Sequence, residues 1–489
     1  MTRRWLWLAI FALAFAPTFA WLVGRWTDSI YRNGHGIFVP FLIAYLALDQ
    51  LKQDTDPEPR ASAWGFAFVG AAVALLVFDS AIKTQILSAL ALVLALPGLS
   101  LLFLGGARTR AIALPLAIGL FMLPIPAGAI SALFMVLRTI TAIAVAAVLP
   151  FLGLPVARDG TILAIPGQSV NVADNCSGFA TLYAAILTAV ILAHLSRSPA
   201  RRAIVLAAAV PLALACNVVR VTVLTLLVSR YGGGILETWI HPGSGLFLFV
   251  FVIGALVWLA GRDALHGAAG NARPPLSGRF ALPAAALFAV ALVPVSIHSY
   301  LHVRRDDCAN PDALVPAMGP GMVTAERDAE VRRNFDVHQW REGRLPPGEG
   351  APELKFAIVR SYDPKQLYYR GTRRLWWDIE PGGDQPDWLE VDGAKLPIVR
   401  SRLGGDDDAH RDRDAVIESF TVYEGKPVEN GWRTQLRAAP RQAFTGSRPM
   451  TLFAIRSDVN ASQREAAERR AREWLAASWR NYRAVCGAE

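Results

Sequence analysis

The sequence predicts an α-helical polytopic membrane bundle followed by a C-terminal soluble α+β domain. Only 18% of the 489 residues are charged, whereas soluble proteins carry about 25%. Long apolar runs continue to about residue 300, and the rest of the chain is polar and rich in Arg, Asp and Pro. We therefore divide the chain into a membrane domain, residues 1–300, and a soluble domain, residues 301–489.

The membrane domain contains ten apolar segments that are candidates for crossing a bilayer, which takes about 20 apolar residues. They cover residues 5–23, 36–51, 62–78, 85–104, 111–123, 128–151, 177–195, 203–229, 245–260 and 280–297. We interpret the first segment as a membrane helix and not as a cleaved signal, because its apolar stretch is longer than that of a signal peptide.

Basic residues in the short loops limit how many of these segments cross. Lys and Arg accumulate in cytoplasmic loops, and the basic loops share one side only if one of the segments 111–123 and 128–151 does not cross. We assign this role to 128–151, because Arg138 lies in its middle and an Arg at the bilayer centre costs about 2.5–3.5 kcal/mol. An interfacial helix would let Arg138 reach water. This predicts about nine crossings, with Cys176 and the soluble domain on the outer side.

The outer loop ahead of Cys176 has the pattern of ordered β structure. Its Arg158-Asp159-Gly160 stretch separates two short apolar runs, which is typical of a hairpin with an Asp-Gly turn. Residues 169–172 then alternate between polar and apolar, as a strand does. An ordered loop that leads directly into a helix is a common location for a functional site.

Composition and motifs exclude several classes of function. The net charge of +9 is explained by basic cytoplasmic loops, and no basic cluster is interleaved with aromatic residues as in nucleic-acid-binding surfaces. The sequence has no His-Glu-x-x-His, no Cys-x-x-Cys and no phosphate-binding loop. We therefore predict no nucleic-acid partner, no metal site and no cofactor.

Cys176 is the first candidate for chemistry. It follows Asp174-Asn175 and precedes Ser177-Gly178 and an apolar helix, so it is expected in the first helical turn behind an Asp or Asn cap. At that position the helix N-terminus stabilises a thiolate. The alternative is a small buried apolar residue, as most free cysteines are, and Cys216 in the middle of a span fits that alternative better.

Arg220 is the second candidate, because it lies inside the apolar segment 203–229. It precedes Arg230 by ten residues, which puts it roughly 15 Å below the outer end of its helix. An Arg inside a membrane segment marks a functional site by default, and the alternative is that its side chain extends to the surface. Asn217 lies one turn earlier on the same helix face.

His241 is the third candidate and opens the next span. A single His in a loop is often incidental, but Cys176, Arg220 and His241 come from three successive helices and lie at, or open toward, the outer side. A His at the same rim can act as the base that activates a Cys, and Arg220 can stabilise the oxyanion of an acyl-transfer intermediate. Together they predict a cysteine-dependent acyl-transfer site.

Five segments resemble, in order, the motifs of the exosortase/archaeosortase family, and the resemblance covers residues 26–260. They are Tyr-Arg-Asn-Gly-His-Gly-Ile-Phe-Val-Pro at 31–40, Leu-Pro-Ile-Pro at 123–126, the loop 153–165 followed by Asn-Cys-Ser-Gly at 175–178, Cys-Asn-Val-Val-Arg-Val-Thr at 216–222, and His-Pro-Gly-Ser-Gly at 241–245.

This resemblance implies a sortase-like cysteine transpeptidase of the bacterial inner membrane. Its partners would be membrane lipid and membrane-anchored proteins that carry C-terminal sorting tails of the PEP-CTERM type, each with a short motif, one membrane helix and a basic end. The family's catalytic residues fall on Cys176, Arg220 and His241. The residues expected to support them are Asn175, Ser177, Asn217 and His35.

A second interpretation is a non-catalytic or transport component of exopolysaccharide assembly. In that case Arg220 would bind an anionic lipid-linked sugar, and the soluble domain would be the working part. Broken helices or an inverted repeat would favour it, and we find no repeat in the sequence.

The soluble domain resembles, in its position, the periplasmic domain that accompanies some exosortases. Its residues 356–359, 375–379 and 451–455 are predicted strands, and residues 462–477 are a predicted terminal helix. The chain has four cysteines, too few for a disulfide framework. Cys308 and Cys486 lie near the two ends of this domain and would be able to form one bridge if it is periplasmic; free thiols remain the alternative.

Overall fold

A computed structural model of the chain confirms the predicted fold class of a helical membrane bundle with a C-terminal α+β domain. The residues that it describes are 2–27, 34–52, 60–125, 127–172, 177–196, 198–261, 276–306, 308, 311–314, 323–324, 338–348, 350–368, 381–403, 414–459 and 461–487. They form two compact units, the first made of Met1–Ala72 and Ser88–Leu287 and the second of Val73–Leu87 and Phe288–Glu489.

The membrane domain is helical apart from one small sheet. Its helices are α1 (Thr2–Thr27), α2 (Val39–Leu51), α3 (Gly65–Ile82), α4 (Ile86–Phe103), α5 (Gly106–Ala111), α6 (Ala113–Ile118), α7 (Ala127–Val148), α8 (Phe179–Leu195), α9 (Pro199–Tyr231), α10 (Ile240–Ala260) and α11 (Ala281–Val295). Among the described residues, 7 helices are long and apolar enough to cross a membrane, and three further apolar helices are shorter.

The small sheet is the predicted outer loop. It consists of β1 (Ala157–Asp159), β2 (Ile162–Ile165) and β3 (Gln168–Asn171), paired antiparallel in the order β1-β2-β3. Gly160 has a φ of +56° in the first turn, a left-handed conformation that glycine adopts without strain. The predicted hairpin is therefore confirmed.

Helix α7 packs against one end of the α8–α9 pair. The ring of Phe134 lies 5.1 Å from that of Phe179, the first residue of α8. Farther along α7, Val145 shares a buried cluster with Val228, near the last residue of α9. Both parts of α7 thus contact the end of the pair opposite to the α8–α9 connection. Leu133–Leu152 is long and apolar enough to cross a membrane, and the number of crossings stays a prediction.

The second unit is built on an eight-stranded antiparallel sheet. Seven strands follow the order β4-β5-β6-β11-β9-β8-β7, and β10 pairs with β9. The strands are β4 (Val323–Thr324), β5 (Gln339–Leu345), β6 (Leu354–Ser361), β7 (Pro381–Val391), β8 (Ala394–Leu403), β9 (Asp414–Tyr423), β10 (Lys426–Val428) and β11 (Met450–Val459). The helices are α12 (Lys365–Tyr368), α13 (Gly431–Thr445) and α14 (Arg464–Cys486).

Three of the predicted elements of this domain are confirmed. Strands β6 and β11 contain the predicted residues 356–359 and 451–455 and pair with each other. The predicted terminal helix is α14, in which Trp474 and Leu475 are fully buried on an apolar stripe at helical spacing. The predicted strand 375–379 lies outside the described residues.

Helix α13 contacts the ends of two membrane helices. The Gln435 side-chain amide donates to the carbonyl of Ile82 at the end of α3 (3.2 Å). The ring of His298, just beyond α11, lies 2.9 Å from the carbonyl of Gln442 and 3.1 Å from the hydroxyl of Ser447. If α3 and α11 both cross a membrane, a helix that contacts both ends requires these ends to lie on the same side of it.

Under that condition the contact is compatible with the predicted parity of the crossings, which stays a prediction. Between the end of α3 and the end of α11 the chain passes through α4, α8, α9, α10 and α11. If each of these five helices crosses, a return to the same side requires one more crossing. This crossing can come either from the segment of α5 and α6 or from the segment of α7, but not from both.

The second unit is closed by a disulfide bond between Cys308 and Cys486, which are 178 residues apart. Replacing both by Ala is expected to lower the free energy of unfolding of this domain by about 2–5 kcal/mol, because the bond limits the unfolded chain. Pulse proteolysis of the full chain in increasing urea would measure the change. The matched control is Cys216→Ala, which leaves the bond intact, and equal urea midpoints for the double variant and the control would contradict the prediction.

Candidate active site

The start of α8 is pressed against the middle of α9. Helix α8 begins at Phe179 and is capped by Gly178, whose φ is +77°, so the prediction that Cys176 lies in the first turn behind an Asp or Asn cap is wrong. A Cβ built on Gly178 would lie 2.6 Å from Cγ of Asn217. Only a glycine allows this conformation and this approach at no cost. Asn217 in turn donates from Nδ2 to Oγ1 of Thr141 on α7 (3.0 Å), and both side chains are buried. The segment after Cys176 is therefore fixed against α9.

Arg220 lies one turn beyond Asn217 and faces the first turn of α10. Its Nε donates to Oγ of Ser244 (3.2 Å), and its Nη2 donates to the carbonyl oxygen of His241 (3.0 Å). The Ser244 hydroxyl also donates to the His241 carbonyl (2.8 Å). A Cβ built on Gly245 would lie 3.2 Å from Nη2 of Arg220, so the guanidinium packs directly on the α10 backbone. The structure thus brings Arg220 and the His241 main chain together.

The length of α9 places Arg220 near a membrane boundary. The helix has 33 residues, about 50 Å, whereas the hydrocarbon core is about 30 Å thick. If Arg201 and Arg202 mark the inner boundary, Arg220 comes about 27 Å higher. With that boundary, the outer part of α9 would extend beyond the bilayer and Arg220 would lie close to the rim; the depth of Arg220 stays a prediction.

Arg138 makes hydrogen bonds with residues of the small sheet and its flanks. Its guanidinium donates to the carbonyl of Val172, to Oγ1 of Thr161 (3.0 Å) and to Oδ1 of Asn171 (3.2 Å). These residues belong to the small sheet or directly adjoin it. These hydrogen bonds tie α7 to the loop ahead of Cys176, and the Arg138 side chain remains half-buried; its contact with water stays a prediction.

Two of the predicted site residues, Cys176 and Asn175, lie outside the described residues. The next residue, Ser177, is completely buried, and its hydroxyl accepts a hydrogen bond from the backbone N–H of Phe179 (3.4 Å). Val172, four residues before Cys176, is also buried. Both flanks of the predicted nucleophile are therefore packed inside the protein, and its distance to His241 stays a prediction.

The backbone of His35 belongs to the short helix Gly34–Ile37. This helix packs on the end of α1, since a Cβ on Gly36 would lie 2.2 Å from Nε1 of Trp26. Trp26 donates from the same nitrogen to the carbonyl of Met122 (3.1 Å). The first motif of the sequence thus adjoins the turn that precedes the second, and the supporting role of His35 stays a prediction.

Sequence reasoning assigned no role to Ser244 or Thr141. Ser244 follows His241 by three residues and Thr141 follows Arg138 by three, so each lies on the helix face of a residue already singled out. That spacing was the available signal. Among the described residues, no group of three His, Cys, Asp or Glu side chains is placed to hold a metal ion.

Comparison with known proteins gives one match. A family model for transmembrane exosortases matches residues 26–258, a range that contains all five motif segments. No curated protein and no solved structure matches the chain.

Proposed function

Residues 26–258 of the chain belong to the transmembrane exosortase family, and we propose from this premise that the chain is a sorting transpeptidase whose nucleophile is Cys176. One observation carries the proposal. Arg220 binds the first turn of α10 at His241, while Asn217, one turn earlier on α9, packs on Gly178 two residues after Cys176. The start of α8, which follows Cys176 in the chain, and the helix segments that carry Arg220 and His241 therefore adjoin one another.

The proposed reaction is acyl transfer through a thioester. The Cys176 thiolate attacks the carbonyl carbon of the scissile peptide bond, and the resulting oxyanion is stabilised by Arg220. His241 then donates a proton to the departing amine, which leaves with the hydrophobic tail, and an acyl thioester forms on Cys176. An acceptor amine or water attacks the thioester, releases the substrate and restores the thiol.

We propose that the substrates are membrane-anchored proteins with C-terminal sorting tails of the PEP-CTERM type. Arg220 lies close to the bilayer rim, where the motif of such a tail would emerge from its membrane helix. The protein would reside in the bacterial inner membrane, in contact with lipid, with its C-terminal domain in the periplasm. The disulfide between Cys308 and Cys486 supports this placement, because such bonds persist in the oxidising periplasm.

A reporter assay tests the proposed function. A secreted reporter would carry the tail of a protein encoded beside the chain, with a short motif, one hydrophobic span and an Arg cluster, and would be co-expressed with the full chain. We expect the reporter to be cut at the motif and to lose the span, as measured by mass spectrometry of its new C-terminus. A tail with a scrambled motif and an unchanged span is the control and should stay intact. An authentic tail that remains uncut beside well-expressed protein would contradict the proposal.

A further inference from the structure

We propose that α7 positions the nucleophile, and that Arg138 and Thr141 are the positioning residues through which it does so. This inference rests on the proposed role of Cys176. Arg138 and Thr141 act on the residues that flank Cys176 and do not contact the reacting atoms or the substrate.

Arg138 holds the segment before Cys176. Its three acceptors belong to Val172, Thr161 and Asn171, and the last two side chains lie 3.3 Å apart across the small sheet. A planar guanidinium that donates in several directions fixes the orientation of its acceptors as well as their distance. The end of β3 and the residue that follows it are therefore held to one point on α7.

Thr141 holds the segment after Cys176. Its hydroxyl accepts the hydrogen bond from Asn217, and the exposed fractions of these two side chains are only 1% and 5%. Asn217 is the residue on which Gly178 packs, at a distance that leaves no room for a Cβ. Because a buried amide without its partner is costly, the Thr141 hydroxyl determines how Asn217 is turned and hence where α8 begins.

The two contacts come from the same face of one helix. Thr141 follows Arg138 by three residues, so their side chains are neighbours on the surface of α7. Only five residues separate Val172 from Gly178, and Cys176 is among them. Both described flanks of Cys176 are thus held by one helix, and fixing the flanks of a nucleophile is a means of keeping it in reach of its reaction partners.

The test uses Arg138→Gln, Arg138→Lys and Thr141→Val in the full chain with Cys216→Ala, so that Cys176 is the one thiol outside the disulfide. Reporter cleavage is measured beside the rate at which a charged thiol reagent alkylates Cys176 between pH 5 and 10. We expect Arg138→Gln and Thr141→Val to slow cleavage on the order of 10- to 100-fold at unchanged protein amount, because small misplacements have effects of this size. Both variants should also change how the alkylation rate of Cys176 depends on pH, either in its midpoint or in its maximal rate at high pH.

Arg138→Lys keeps the charge but loses the planar fork, so it is expected to recover only part of the cleavage rate. The matched control is Arg158→Gln. Arg158 is an exposed Arg of the same sheet that donates to the Gly160 carbonyl within its own turn (2.8 Å). Because this hydrogen bond stays within the turn, loss of the Arg158 side chain should change cleavage less than about twofold.

The inference is overturned if Arg138→Gln and Thr141→Val cleave at the wild-type rate. It is also overturned if they lose cleavage only in proportion to protein amount while the alkylation profile of Cys176 is unchanged, since that would be a purely structural role. Its failure is separable from failure of the proposed function. Cleavage by a Cys176→Ala variant would contradict the proposed function. If Cys176→Ala is inactive while the Arg138 and Thr141 variants cleave normally, only the positioning role is contradicted.

Discussion

Cys176→Ala is expected to abolish tail cleavage while the amount of protein in the membrane stays at the wild-type level. The loss should be on the order of 10⁴-fold or more, because removing the nucleophile removes the covalent pathway and not merely one contact. Cys176→Ser should be nearly as inactive, because a hydroxyl near neutral pH is a far weaker nucleophile than a thiolate. Cleavage of the tail reporter and a blot for the enzyme in the same membranes measure both quantities.

The matched control is Cys216→Ala. Cys216 is the free cysteine of the described residues and is buried in α9 among small apolar side chains such as Ala185 and Ala213. Cys216→Ala also removes one thiol, but Cys216 has no proposed catalytic role. Cleavage should therefore continue at close to the wild-type rate. If Cys176→Ala also continues to cleave, the transpeptidase mechanism falls and a role in exopolysaccharide assembly becomes the stronger hypothesis.

A thiol-labelling experiment separates these two functions without a substrate. A membrane-impermeant maleimide should label Cys176 from the outer side, with an apparent pKa below that of an ordinary thiol if the residue is an activated nucleophile. An inert structural cysteine would react slowly, and its pKa would not be lowered. Because the maleimide reacts with the thiol directly, the result does not depend on which tail the enzyme recognises.

The elements that were predictable from the sequence are those whose signal is local. The hairpin ahead of Cys176 was readable because Asp159-Gly160 lies between short alternating runs. The strands around Phe356 and Phe453 were readable from their apolar runs, and α14 from the spacing of Trp474 and Leu475. In each case the information lies within about ten residues of the element.

The contacts that organise the site were not predictable, because they join residues far apart in the chain. Asn217 was singled out from its own segment, but its partner Thr141 lies 76 residues away and nothing in the sequence indicates the pairing. The extent of α9 was also underestimated. The apolar run begins at residue 203, but Arg201 and Arg202 are good helix formers and continue the helix to Pro199. Hydropathy therefore located the membrane segment of α9 and missed how much farther the helix extends.

The second large effect is expected at Arg220. Arg220→Gln should lower the cleavage rate by on the order of 10²–10³-fold, the usual effect of removing one oxyanion-stabilising group. The loss should appear mainly in kcat, because a charge that acts on the transition state contributes little to binding of the tail. The measurement is the rate of reporter cleavage at increasing substrate expression, with protein amount held equal.

Arg220→Lys distinguishes charge from geometry. The present contacts need two separate donors, one directed to the Ser244 hydroxyl and one to the His241 carbonyl, and an ammonium on a flexible stem cannot reproduce that planar arrangement. We therefore expect Arg220→Lys to remain at least about 10-fold below wild type. The matched control is Arg230→Gln, an exposed Arg near the end of the same helix, which should cleave normally. If Arg220→Gln also cleaves within about threefold of wild type, Arg220 serves packing of α9 on α10, and the oxyanion must be stabilised by another group.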